Sequence, residues 1–464
     1  MGQEINAATF SEQHRAQFAG RLASETALLR EMYAAKKLSS CGPVAGFELE
    51  AWLIDRNFFP APHNQSFLER LGDPLVVPEL SRFNIEINGT PRGPAGRGLL
   101  EMEAELAATW ARCVANAHAD VDTAVAIGTL PTLRDADLSL AMMTPSNRYA
   151  ALNRQVLQLR GGAPVELEIE RAIGGGPPFT SRHVDVMLEA ATTSFQLHWQ
   201  VPLAEVGAAY DASLELSGPL LALGANSPFL FGQPLWHETR IPVFEQALGL
   251  GRVGLGSGYA GDDLTALFAE NLNDYPVLLP IVSDDAERRF AHLRLHNGTI
   301  WRWVRPLVGF DDDGTPHLRI EQRILPAGPS VIDMLANAAF FYGAVHMLAA
   351  RPQALPFEVA RGNFYRAARH GIGAGLDWPG GERRPARQVL AQLLPLARQG
   401  LEQLGTCSDA IDRYLDVIQQ RIATGRNGAS WQIAHYERCR DPFRLTADYL
   451  EHQRSGAPVH EWES

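Results

Sequence analysis

The sequence predicts an α+β fold built on one mainly antiparallel sheet backed by helices, and three observations lead to it. Four segments alternate apolar and polar residues with period two, as strands with unlike faces do. These segments come from early, middle and late parts of the chain, with helical blocks between them, rather than in the regular strand-helix repeat of a doubly wound parallel sheet. Nothing in the composition opposes a packed core, since 46% of the 464 residues are hydrophobic and 20% are charged. No linker or repeat divides the chain. It reads as one catalytic domain, 1–464, with a core at about 40–350 and a mainly helical part at 351–464.

Taken in order, residues 10–37 carry apolar positions at helical spacing with charges between them and predict an amphipathic helix. Residues 43–55 (PVAGFELEAWLID) and 83–88 (FNIEIN) alternate and predict strands, and 98–127 returns to helical period. Much of 128–182 has loop composition, and its Gly174–Gly176 run reads as a plain turn before Pro177 and Pro178. Residues 193–203 (TSFQLHWQVPL) predict another strand and 205–225 a helix. Segments 299–307 (TIWRWVRPL) and 317–325 (HLRIEQRIL) flank a DDDG turn at 311–314 and predict a hairpin. From Ser330 onward the pattern is helical, interrupted by a Pro/Gly/Arg-rich stretch at 378–387.

Each alternating strand divides into an apolar face and a face of chemically specific groups. Phe47, Leu49 and Leu53 oppose Glu48 and Glu50, and Phe83, Ile85 and Ile87 oppose Asn84, Glu86 and Asn88. Phe195, Leu197 and Val201 oppose Gln196, His198 and Gln200, whereas Leu318, Ile320 and Ile324 oppose Arg319, Glu321 and Arg323. A single strand of this kind is ordinarily the wet face of an antiparallel sheet. Four together hold glutamates, amides and one histidine without lysine or threonine, which suits a lined cavity. Glu48 and Glu50 point the same way and repel each other unless a cation lies between them. Clustered carboxylates with one imidazole are hard ligands that favour Mg²⁺ or Mn²⁺ over zinc. Such ions commonly hold nucleotide phosphates, and Arg302, Arg305, Arg319 and Arg323 are candidate partners for the charge that develops in phosphoryl transfer.

A net charge of −12 argues against nucleic acid or an anionic membrane as the main partner. The first residues lack the basic-then-apolar pattern of a signal peptide, and no window reads as a run of about 20 apolar residues, so the expected location is the cytoplasm. No Gly-x-x-x-x-Gly-Lys-[Ser/Thr] loop occurs, which excludes a P-loop enzyme. Cys41, Cys113, Cys407 and Cys439 are scattered without paired spacing and predict neither a disulfide framework nor a zinc ribbon.

The segments GFELE (46–50), ELSRFNIEING (79–89), SFQLHWQVP (194–202), NSPFLFG (226–232), TIWRWVRP (299–306) and LRIEQRILP (318–326) run in a fixed order across residues 44–345. In this the chain resembles the glutamate-cysteine ligase family, in particular its bacterial carboxylate-amine ligase branch. The resemblance implies a glutamine synthetase-like sheet curved around an active site. It also implies use of ATP and Mg²⁺ (or Mn²⁺) to turn a substrate carboxylate into an acyl phosphate that an amine attacks. By motif, Glu48, Glu50, Glu86, His198 and Glu321 are the implied metal ligands. Glu79, just upstream, leaves open which acid of that segment ligates metal.

Arg323 is implied to face the transferring phosphoryl group, and Arg305 or Arg240 to hold a substrate carboxylate. Asn84, Gln196 and Ser194 are implied to support or face the substrate. Trp303 reads first as core, with stacking on adenine as its alternative. The implied substrates are small molecules, glutamate or a similar carboxylate and cysteine or another amine, in an enzyme able to form a homo-oligomer. The same scaffold leaves two other readings, a kinase of a guanidinium or carboxylate and a catalytically silent nucleotide-binding homologue.

Overall fold

The structure is a computed structural model that describes residues 10–116, 121–283 and 289–463. Its centre is a seven-stranded sheet: β1 (Val44–Ile54), β2 (Val76–Pro78), β3 (Asn84–Asn88), β4 (Thr123–Val125), β5 (Phe195–Gln200), β6 (Val304–Phe310) and β7 (Pro316–Gln322). The order is β6-β7-β5-β1-β3-β2, with β4 paired to the far end of β1, and every pairing is antiparallel. All four predicted strands lie in this sheet. The β6–β7 hairpin turns through Asp311–Thr315, where Gly314 adopts φ +80° and its N–H reaches the Asp311 carbonyl at 2.8 Å.

The register brings the polar faces together. Glu50 stands opposite Glu86, Glu48 opposite both Asn88 and Gln196, and Glu321 opposite both His198 and Arg305. Residues directly opposite in an antiparallel ladder share a face, so one polar surface runs across the middle of the sheet. The other face carries Phe47, Leu49, Ile85, Ile87, Phe195, Leu197 and Ile320, each 3% exposed or less, in an apolar core.

Helices cover that core. The first observed helix, α1 (Glu12–Ala34), starts at Ser11, whose Oγ accepts from the His14 N–H at 3.2 Å. Further helices are α2 (Gly98–Ala115), α3 (Asn147–Leu159), α4 (Val206–Gly224), α5 (Arg240–Ala247) and α6 (Val331–Ala349). Beyond α6 come α7 (Phe357–His370), α8 (Ala386–Gln403), α9 (Ser408–Thr424), α10 (Gly428–Cys439) and α11 (Pro442–Ser455). Helices α4, α8 and α9 all pack against α6, so the C-terminal helices share the sheet's core.

Three expectations need correction. The helix expected over 98–127 ends at Ala115, and Thr123–Val125 instead adds the strand β4. Helix α3 lies where loop composition dominates, because its stripe is only Ala151, Leu152, Gln155 and Val156 and packs into a small satellite core with Leu248, Leu278 and Leu279. Helix α6 is long and apolar enough to cross a membrane, although no such window was expected; 78% of it is buried in the protein. It also carries a buried ion pair, Asp333 with Arg421, at 2.6 Å, which belongs to a folded interior. The Gly174–Gly176 run, all at positive φ, joins the small hairpin Val165–Ile169 and Phe179–His183, as a turn should.

Candidate active site

The polar face resolves into two carboxylate clusters. In the first, ligand atoms of Glu48, His198 and Glu321 lie within 4.8 Å of one another; in the second, those of Glu50, Glu79 and Glu86 do. The period-two spacing of Glu48 and Glu50 separates them between clusters instead of aiming both at one point. His198 Nε2 is 3.2 Å from Glu48 Oε1 and 4.0 Å from Glu321 Oε1, and forms no hydrogen bond. Arg319 Nε donates to the other ring nitrogen, Nδ1, at 3.2 Å, so in the neutral ring the proton sits on Nε2, the atom aimed at the carboxylates, and a cation bound there would displace it.

Electrostatics differ between the clusters. Burial raises Glu321, but Arg305 and Arg323 outweigh it and hold the carboxyl well below the usual range. For Glu48, burial is likewise outweighed, by the adjacent His198, and the carboxyl is held at about 2. The second cluster is pushed the other way. Burial and then Glu48 raise Glu86 to about 7, burial with Glu86 and Glu50 raises Glu79 well above its ordinary value, and burial raises Glu50 against the pull of Arg323. Three acids that disfavour one another's charge, beside a second group of two carboxylates and an imidazole, fit hard divalent cations. The oxygen-rich donor set suits Mg²⁺ or Mn²⁺.

Supporting contacts fix these side chains. The Ser194 N–H donates to Glu50 Oε2 at 2.8 Å and Gln196 Nε2 to Glu50 Oε1 at 2.9 Å. Gln196 Oε1 in turn accepts from Arg323, whose Nη1 is also 3.3 Å from Glu321 Oε2. Arg323 thus contacts Glu321 directly and reaches Glu50 through Gln196. Beside it opens a pocket, continuous with solvent and lined by Glu50, Asn84, Glu189, Arg240, Trp303 and Arg323 among others. Asn84 Nδ2 is buried there with no partner, and Asn84 Oδ1 accepts from Ser81. Arg240 is held by Glu238 at 3.4 Å and by the carbonyls of Arg323 and Ile324, with its guanidinium 5.2 Å from the Trp303 ring centre.

The sequence profile of glutamate-cysteine ligase family 2 matches residues 44–447. The chain belongs to that family. Its fold is similar to that of a glutamate–cysteine ligase from Francisella tularensis solved with AMP, at 13% identity and TM-score 0.58 with 90% of each chain covered. It is also similar to a bifunctional glutathione synthetase from Pasteurella multocida, at 12% identity and TM-score 0.53. There the match covers 93% of this chain but 54% of the other. No curated protein sequence matches it.

Within this family member, the structure gathers all five implied metal ligands, and Glu79 lies with Glu86 and Glu50 in the second cluster. Arg305 is placed differently from its implied role. Its Nε and Nη2 grip Glu321 at 2.7 and 3.1 Å and its Nη1 faces the carbonyls of Asn297 and Ile300, leaving no guanidinium edge for a substrate carboxylate. Arg302 is tied to Glu270 and Asn271, away from both clusters. Ser194 contributes its backbone N–H to Glu50. Trp303 is 1% exposed, donates to Glu245 at 2.8 Å and forms a wall of the pocket. NSPFLFG and the NGAS at 427–430 serve as a clamp: Asn226 binds the Ala327 carbonyl, Tyr449 and Gln432, and Asn427 caps α10. Sequence reasoning missed Glu189, which sits on the short turn Met187–Ala191 where neither period applies. The hydroxyl run Thr192–Ser194 beside it is the signal that was available.

Proposed function

We propose that this protein couples the γ-carboxylate of glutamate, or a similar carboxylate, to cysteine or another small amine through an acyl phosphate. Family and fold support the coarser activity, an ATP-dependent carboxylate–amine ligase. The observation that carries the reading is the pair of carboxylate clusters linked through Arg323 and Gln196, with Glu50, Glu79 and Arg323 lining one pocket. Glu48, His198 and Glu321 would hold one divalent cation and Glu50, Glu79 and Glu86 another. These ions would supply the charge neutralisation that a triphosphate needs.

Arg323 is oriented by Gln196 and Glu321 before any ligand arrives, so it can stabilise charge on a transferring phosphoryl group without reorganising; such a preorganised donor contributes about 3 kcal/mol at the transition state. Arg240, tethered at the pocket wall, receives the carboxylate, a role in which it replaces Arg305. Trp303 and Phe244 give that wall an apolar lining that keeps water from the acyl phosphate. No nucleophilic side chain is required, because the acyl phosphate is the activated species.

The test is mass spectrometry of products after purified protein meets ATP, Mg²⁺, glutamate and a mixture of small amines including cysteine. An ATP-dependent mass equal to glutamate plus amine minus water supports ligation and identifies the acceptor. ADP without a condensed product sinks ligation in favour of a kinase, and no turnover at all leaves a silent homologue.

A further inference from the structure

Of the carboxylates that line the pocket, Glu50 and Glu79 belong to a metal-type cluster; among the described residues Glu189 is the remaining one. Its Oε2 is buried and makes no hydrogen bond. A buried, unpartnered carboxylate oxygen is costly, and a group that brings a proton or a positive charge relieves that cost. Among the described residues the same pocket contains no lysine, histidine or tyrosine; its positive charges are Arg240 and Arg323, and neither hydrogen-bonds Glu189 Oε2.

The turn Met187–Ala191 that carries Glu189 packs against α5, which presents Arg240 to the pocket and turns Glu245 away to Trp303 and Tyr365. The charged and titratable groups acting on Glu189 are Arg323 just past the end of β7, Glu50 from β1 and Tyr149 from α3. The pocket therefore has an arginine pair suited to an anion and, opposite in charge, one carboxylate free of metal duty.

We infer that Glu189 is the proton acceptor for the amine substrate, a role that rests on the ligase reading above. An amine arrives as an ammonium ion, which has no lone pair to attack with. One N–H proton passes to the Glu189 carboxylate. The freed lone pair then forms the C–N bond to the acyl carbon while the C–O bond to phosphate breaks, and that electron pair leaves with phosphate. The second N–H proton departs with phosphate as hydrogenphosphate, and Glu189 returns its own proton to water. Burial, reinforced by Glu50 and partly opposed by Arg323, raises Glu189 to about 7, near the value that serves a base at neutral pH.

The experiment compares wild type, Glu189→Gln and Glu189→Asp with the best amine found for the wild type, and with hydroxylamine, which is unprotonated at neutral pH. For Glu189→Gln the expected result is a fall of about 100-fold in kcat for amide formation, with the KM for ATP held within about twofold. Loss of the pH-profile limb near neutrality and recovery of rate with hydroxylamine accompany it. Glu189→Asp, which keeps the carboxylate, retains the limb at reduced kcat and carries the test if the Gln variant does not fold.

Wild-type kcat and pH profile in both variants would overturn the inference while leaving the ligase reading intact. So would a rise in amine KM with kcat kept, or an equal loss with hydroxylamine. A wild type that makes neither amide nor hydroxamate overturns both.

Discussion

Glu86 lies across the ladder from Glu50 and is raised to about 7 by burial and by Glu48, so the metal-free fold carries a protonated acid where the unfolded chain, at 4.5, ionises. A carboxyl whose folded value is raised contributes stability that is fully present below pH 4.5 and is lost as pH rises through about 7. That shift corresponds to about 3 kcal/mol from this group. The metal-free protein is therefore expected to lose melting temperature between about pH 5 and pH 8, and Mg²⁺ to restore it at the upper end only. Calorimetry at both pH values checks this, and an equal Mg²⁺ effect at each would defeat it; Glu86→Gln should flatten the difference. A second expectation concerns Arg305, whose two-point grip orients Glu321. Lysine cannot reproduce that fork, so Arg305→Lys should weaken Mg²⁺ activation about 10- to 100-fold. A Mg²⁺ titration of turnover reads it, and an unchanged midpoint contradicts it. Arg305 looked like a substrate ligand in the sequence because one strand alone does not reveal what stands opposite; only the β6–β7 register pairs it with Glu321.

Strands were legible because period two writes both faces into the chain: Phe47, Leu49 and Leu53 on one side and Glu48 and Glu50 on the other cannot be arranged otherwise without burying the acids in the core. β4, three residues long and wholly buried, has no such contrast and is hidden in the helical period of 98–127, while α3 shows only a narrow stripe that does not rise above loop composition. The C-terminal helices were visible as helices, but where they dock was not, since docking depends on single close approaches. Gly428 is one. A Cβ there would lie 1.9 Å from Asn226 Oδ1. Asn226 cannot step aside, being held by Gln432, Tyr449 and the Ala327 carbonyl, while its own N–H binds Glu238, the partner of Arg240. Gly428→Ala is expected to cost about 2 kcal/mol or more and to raise the KM for the carboxylate substrate through Arg240. A urea titration with parallel kinetics tests both, and wild-type stability would show that the clamp yields.

At the scale of the whole molecule, the sheet's apolar face and the C-terminal helices are one core with α6 at its middle. Tyr342 of α6 packs at a tilt against Trp199 of β5 with ring centres 4.7 Å apart and donates to the Gly46 carbonyl at 2.9 Å, directly behind GFELE. On its other side α6 meets α8, where Gly343 and Gly400 approach so closely that a Cβ on Gly400 would sit 2.0 Å from the Gly343 carbonyl. It also meets α9, where Arg421 is 1% exposed and binds Asp333 and Asn337. Removing the Arg421 side chain leaves a buried aspartate without its counter-charge, so Arg421→Ala should cost about 3–5 kcal/mol. Deleting 351–464 does the same and strips the cover from an apolar helix as well. A chain ending at residue 350 is therefore expected to be insoluble or expanded and to show no Mg²⁺-dependent melting shift, even though all six candidate metal ligands remain in it. Light scattering with calorimetry tests this. If the truncated chain melted cooperatively and still responded to Mg²⁺, the sheet would be self-sufficient, and the helices behind GFELE would not be what holds the two clusters in place.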